Sequence, residues 1–237
     1  MEKRFEDLFN FKPIIGMIHL SHRDINQALE EILILEEEGF DGAIVEDYYG
    51  TVNDVYHVLK GASKINLNIK LGTNILKDPY YSFDLANEFG LQFIQFDSVL
   101  TKDLDLELYS FLRSKYPNVF VLGGVGFKYI EPSGNPLEVD LEEGRLRSDI
   151  IVTTGDGTAM ETPIKKLIQY KGILKDFPLF VGAGLNLKNI YEQLNICDGG
   201  IIGSYLKFDG KTENRMDYSR VKEIIHERNA LRANRVN

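Results

Sequence analysis

Apolar residues recur along the chain in short, nearly continuous runs. Each is followed by a break at Gly, Asn or Asp and then by a stretch rich in Leu, Glu and Lys with helical spacing. The runs lie at Pro13 to His19, Asp41 to Glu46, Ile69 to Ile75, Phe93 to Ser98, Asn118 to Val125, Asp149 to Thr154, Leu179 to Ala183 and Gly200 to Ser204. A spacing of roughly 27 residues fits a strand, a helix and two turns. Strands apolar on both faces and joined by helices are parallel and buried, either in a closed barrel or in a doubly wound sheet. A dinucleotide-binding sheet wants G-x-G-x-x-G after its first strand, and Ile14-Ile15-Gly16-Met17-Ile18-His19 has none. The pattern therefore predicts one (β/α)₈ barrel domain over 1–237.

The intervening helices carry their own signals. Residues 25 to 38 place Ile25, Ala28, Leu29, Ile32 and Leu35 largely on one face, and Gly39 suits the left-handed residue that ends a helix. Asp78-Pro79 reads as a cap followed by proline, with Gly90 closing that helix. Thr162-Pro163 repeats the start signal, Gly172 reads as the stop, and Asp217 opens the last helix. The fifth unit is irregular: Phe127 to Ser148 predicts a long loop and then a stunted helix over Leu137 to Leu146.

Length and composition fit this architecture. The chain has 237 residues, 43% hydrophobic and 27% charged, enough for a sizeable core. A net charge of −9 opposes binding to nucleic acid or anionic lipid. The first eleven residues contain no apolar signal core, and nowhere do 18 apolar residues follow one another. A cytoplasmic location is expected. The single cysteine, Cys197, reads as a buried structural thiol, and His57 and His226 fall on helix surfaces.

In a parallel barrel all strand C-termini meet at one rim. The candidates gathered there are His19, His22 and Asp24; Glu46 and Asp47; Asn74; Asp97; Lys128; Thr154 and Gly155; Gly182, Gly184 and Asn186; and Gly203, Ser204 and Lys207. Val181-Gly182-Ala183-Gly184-Leu185-Asn186 after strand seven and Ile201-Ile202-Gly203-Ser204 after strand eight form the strongest signal. Glycines let main-chain N–H groups wrap an anion, and these are the positions at which many barrels hold a phosphate. Asp97 and Glu46 read as proton-exchanging carboxylates, with Lys128 and His19 polarising a substrate or stabilising negative charge. A rim ion pair between Asp97 and Lys128 that only orders loops is the alternative. His19, His22 and Asp24 together with Glu46 and Asp47 are the one place where a divalent metal could bind, although His-Leu-Ser-His is a weak spacing for it.

Several stretches resemble the BtpA family, which includes the SgcQ-like proteins. They are Ile151 to Thr158, Val181 to Asn186 with Asn189, Asp198 to Gly210, Asp217 to Val221, and upstream Gly16 to Leu20, Asp41-Gly42 with Glu46, and Thr73 to Leu76 with Asp78. The resemblance implies a barrel of the ribulose-phosphate-binding type, akin to phosphoribosylanthranilate isomerase. Three features depart from the family pattern. The first His-Leu runs straight into Ser21-His22-Arg23-Asp24 instead of a loop rich in proline and glycine, Asp47 replaces an Asn, and Lys128-Tyr129 replaces a Lys-His pair. The combined expectation is an isomerase or lyase acting on a small phosphorylated sugar or nucleotide-like metabolite, without a cofactor and in a homo-oligomer. A non-catalytic assembly factor and a metal-dependent hydrolase are the alternatives.

Overall fold

The computed structural model describes residues 4–234. Eight strands form a closed parallel barrel in sequential order: β1 (Ile14–Ile18), β2 (Gly42–Glu46), β3 (Lys70–Asn74), β4 (Phe93–Phe96), β5 (Phe120–Gly124), β6 (Ile150–Thr153), β7 (Leu179–Val181) and β8 (Gly199–Ile202). Each lies within or against a predicted apolar run, and closure through the β1–β8 pairing leaves no edge exposed. Among the described residues no helix is long and apolar enough to cross a membrane.

The helices are α1 (Phe5–Leu8), α2 (Ile25–Glu38), α3 (Val52–Ala62), α4 (Tyr81–Phe89), α5 (Leu106–Lys115), α6 (Leu137–Arg147), α7 (Ile164–Leu174), α8 (Ile190–Ile196) and α9 (Tyr218–Ala233). Asp24 caps α2 by accepting from Gln27 N, and Gly39 ends it at φ 82°. Asp217 caps α9 through Ser219 N.

Three helix-end expectations need correction. Asp78-Pro79 forms a turn whose carbonyls accept from Tyr81 and Ser82, so α4 begins later than its apparent cap. Thr162 donates to Ala183 O instead of capping α7, and Gly172 lies within that helix because apolar packing at Leu174 carries it further. The predicted short helix of the fifth unit is α6, 11 residues long and no shorter than α3 or α7.

Alternation along the strands sorts side chains into two cores. Ile14, Ile18, Val45, Ile94, Val121, Ile151 and Val181 face the helices. Ile15, Met17, Ile44, Phe93, Leu122, Val152, Phe180 and Ile201 fill the barrel. The N-terminal end is sealed by α1, where Phe5 meets Phe180 edge-on and Phe9 meets Phe93. The opposite, C-terminal end holds polar side chains.

A candidate active site at the C-terminal mouth of the barrel

The inward alternation that places Met17, Ile44 and Phe93 in the barrel continues to His19, Glu46, Gln95 and Asp97 at the mouth. Glu46 pairs in register with Asn74, so their side chains lie side by side. Asn74 Nδ2 donates to Glu46 Oε1 at 2.9 Å and to Asp97 Oδ1 at 3.0 Å, and Gln95 Nε2 donates to the same Asp97 oxygen at 3.0 Å. Two carboxylates are thereby held together by two carboxamides.

Burial dominates the electrostatics. It pushes Glu46 up to about 8, reinforced by the neighbouring Asp97 charge and opposed by the Lys128 ammonium. Asp97 is also raised by burial, with the Gln95 and Asn74 hydrogen bonds acting against it. Burial lowers His19 to about 3, aided by the positive charges of Lys207 and Lys128. Both shifts favour the uncharged forms, a protonated carboxyl at Glu46 and a neutral imidazole at His19.

A cavity of about 450 Å³ opens above this cluster. His19, Glu46, Gln95 and Lys128 line one part of it. Gly182 to Lys188 and Gly203 to Tyr205 line the other. Met17, Phe127 and Ile201 supply apolar wall between them. Lys128 forms no ion pair among the described residues, which answers the rim-pair alternative, and its Nζ lies 5.7 Å from the Phe127 ring centre.

The turns after β7 and β8 have an unusual main chain. Among the described residues, the N–H groups of Ala183, Gly184, Leu185, Gly203, Ser204 and Tyr205 donate no hydrogen bond, although all six residues border the cavity. Neighbouring amides are occupied: Gly182 N donates to Thr153 O and Asn186 N to Asn189 Oδ1. Gly184 has φ 71°, and a Cβ there would sit 2.2 Å from Met160 O. A Cβ on Gly203 would sit 2.6 Å from His19 Cε1, so this glycine lets the β8 turn close over the imidazole.

Other predicted rim residues are placed elsewhere. Asp97 and Asn74 do not border the cavity; Asp97 accepts from Asn74 and from the cavity-lining Gln95. Asp47 accepts from Leu76 N. Thr154 Oγ1 accepts from Lys128 N and donates to Gly155 O, ordering the β5 and β6 loops, while Gly155 permits close approach of Glu161 O. Asn186 borders the cavity, but its side chain is engaged in its own turn, donating to Gly184 O and accepting from Lys188 N. Lys207 does not reach the rim: it turns outward, is fully buried, and pairs with Glu31 of α2 at 2.6 Å.

The suggested metal ligands disperse, since Asp24 caps α2 and His22 is exposed. No group of three or more His, Cys, Asp or Glu that could hold a metal ion occurs among the described residues. Gln95 was missed by sequence reading, although its place two residues before Asp97 on the inward face was available. Cys197 is buried, its thiol pushed up to about 12 by burial.

A family model described as the BtpA family matches residues 10–230. The chain is 28% identical over 261 residues to a protein of Methanocaldococcus jannaschii, covering 95% of this chain and 98% of that one. It is 25% identical to the photosystem I biogenesis protein BtpA of Synechocystis sp., covering 93% and 89%. Among solved structures, tryptophan synthase from M. tuberculosis superposes with a TM-score of 0.68 at 15% identity, covering 91% of this chain and 92% of that one. Phosphoribosylanthranilate isomerase from Thermotoga maritima superposes with a TM-score of 0.63 at 15% identity, covering 92% and 99%. These two likenesses are to the fold alone.

Proposed function

The chain belongs to the BtpA family, and from that premise and the geometry of its barrel mouth we propose that it is an isomerase or lyase acting on a small phosphorylated sugar or nucleotide-like metabolite. The observation that carries this reading is the meeting, in one cavity, of six main-chain N–H groups that donate to no protein acceptor with the buried carboxyl of Glu46 and the buried imidazole of His19. Convergent amides on glycine-containing turns suit a phosphate. The protonated carboxyl and the imidazole suit proton transfer at the other end of the same molecule.

Each residue has a distinct task in this proposal. Ala183 to Leu185 and Gly203 to Tyr205 bind the phosphate through the main chain, with the Ser204 hydroxyl beside them. Glu46 exchanges a proton with substrate carbon or oxygen. Neutral His19 donates to a carbonyl oxygen, and Lys128 stabilises the negative charge that develops there. Asp97 is a positioning residue, since its charge favours the protonated form of Glu46 while Asn74, which donates to both carboxyls, fixes their relative placement.

Thermal unfolding with phosphosugars and nucleotides tests the reading. A ligand at 100 times its dissociation constant adds about 2.7 kcal/mol of stability. One class of phosphorylated compound should stabilise the protein, and Ser204→Asp, which sets a negative charge in the anion pocket, should abolish the effect. Absence of stabilisation by every phosphorylated compound would favour the second reading, a non-catalytic assembly factor, which the name of the Synechocystis relative supports.

A further inference from the structure

Gln95 is only 1% exposed, lines the cavity and leaves its Oε1 without a partner among the described residues. Its orientation is set by chemistry. Nε2 donates to Asp97 Oδ1 at 3.0 Å, and Asn74 Nδ2 donates to that same oxygen. Rotating the carboxamide by half a turn would set oxygen against oxygen at Asp97 and leave the NH₂ without its acceptor. The buried Oε1 is therefore left as an acceptor without a partner in a residue that lines the cavity.

An unpartnered buried carbonyl is costly, and the cost is relieved by a ligand that brings an O–H or N–H. A ketone, an ether or a carboxylate cannot do this. The anion-binding turns follow β7 and β8, whereas Gln95 stands on β4, four strands from β8 in the closed order and so on the opposite side of the barrel. A donor that reaches Gln95 consequently lies at the end of the ligand remote from its phosphate. Between the two ends the wall is apolar at Met17, Phe127 and Ile201.

We propose that Gln95 is a specificity-determining residue that accepts a hydrogen bond from a hydroxyl at the far end of a bound sugar phosphate, remote from its phosphate. This deepens the phosphate-site reading and rests on it. Gln95 is assigned no proton transfer; its part is to discriminate hydroxyl-bearing phosphates from phosphates of the same length without hydroxyls.

Calorimetric titration of the wild-type protein with inorganic phosphate, n-pentyl phosphate and ribose 5-phosphate tests this without any mutation, and Gln95→Leu adds a second arm. Ribose 5-phosphate should bind at least about tenfold more tightly than pentyl phosphate to the wild type. Gln95→Leu should remove most of that preference and leave the affinity for inorganic phosphate unchanged. Equal binding of the two organic phosphates by the wild type, or a preference that survives in Gln95→Leu, would overturn the role of Gln95 while leaving the phosphate site standing. Failure of all three compounds, inorganic phosphate included, would overturn the phosphate reading and this inference with it.

Discussion

The carboxamide of Asn74 donates to the Glu46 carboxyl at 2.9 Å across the β2–β3 register, in a pocket where Glu46 is almost wholly buried. That pairing satisfies one oxygen of a carboxyl which burial and Asp97 hold in its protonated form near neutral pH. Three consequences for activity and stability follow from it and from the buried imidazole nearby.

Replacing Glu46 with Gln keeps the shape and removes the exchangeable proton. Turnover of a phosphosugar that the protein converts should fall by about 10²–10⁴, the usual range for a general acid or base. Affinity for inorganic phosphate should hold, since the anion-binding amides are untouched. Steady-state kinetics alongside calorimetry separates the two quantities.

Asp97→Asn removes the charge that helps keep Glu46 protonated. The pH at which Glu46 ionises should then move down from about 8, carrying the corresponding limb of the rate profile with it. A rate profile that keeps its limb in place would separate Asp97 from the control of Glu46.

Stability should depend on pH through both groups, with opposite signs. Glu46 is raised from 4.5 to about 8, so the native state retains a proton that the unfolded chain loses, and stability falls as pH rises through that interval. His19 is lowered from 6.5 to about 3, so the unfolded chain takes up a proton that the native state refuses, and stability falls as pH drops through that interval. Denaturant unfolding across pH should show Glu46→Gln flattening the decline that accompanies rising pH between 4.5 and about 8, and His19→Gln the decline that accompanies falling pH between 6.5 and about 3.

The pair Lys207–Glu31 carries a separate expectation. Both side chains are buried, and Gln27 also donates to Glu31 Oε1. Lys207→Met alone should cost about 3–5 kcal/mol by stranding a buried carboxylate, and Lys207→Met combined with Glu31→Leu should recover much of it. Chemical unfolding of the two variants and the wild type measures the difference.

Much of the barrel was legible because its strands are buried on both faces, so runs such as Ile14 to Ile18 or Ile150 to Thr153 stand out in any window. His19 and Glu46 were legible as rim residues because they end the first and second apolar runs, and the strand C-termini of a parallel barrel share one rim. Lys207 misled because it follows the β8 turn closely, while a buried partner on α2 turned it away from the rim. The cap reading at Asp78 failed because Tyr81 and Ser82 bond to the Asp78-Pro79 carbonyls first. The unpartnered amides of the two turns had no sequence signal beyond their glycines, since hydrogen-bond partners are a property of the folded chain.

In the proposed function the turns after β7 and β8 bind the phosphate of the substrate through their main chain. Two-dimensional amide NMR during titration with inorganic phosphate tests it most directly. Saturable shifts concentrated at Ala183, Gly184, Leu185, Gly203, Ser204 and Tyr205 are the predicted result. If phosphate left those six resonances unmoved while the protein remained folded, the claim would be contradicted.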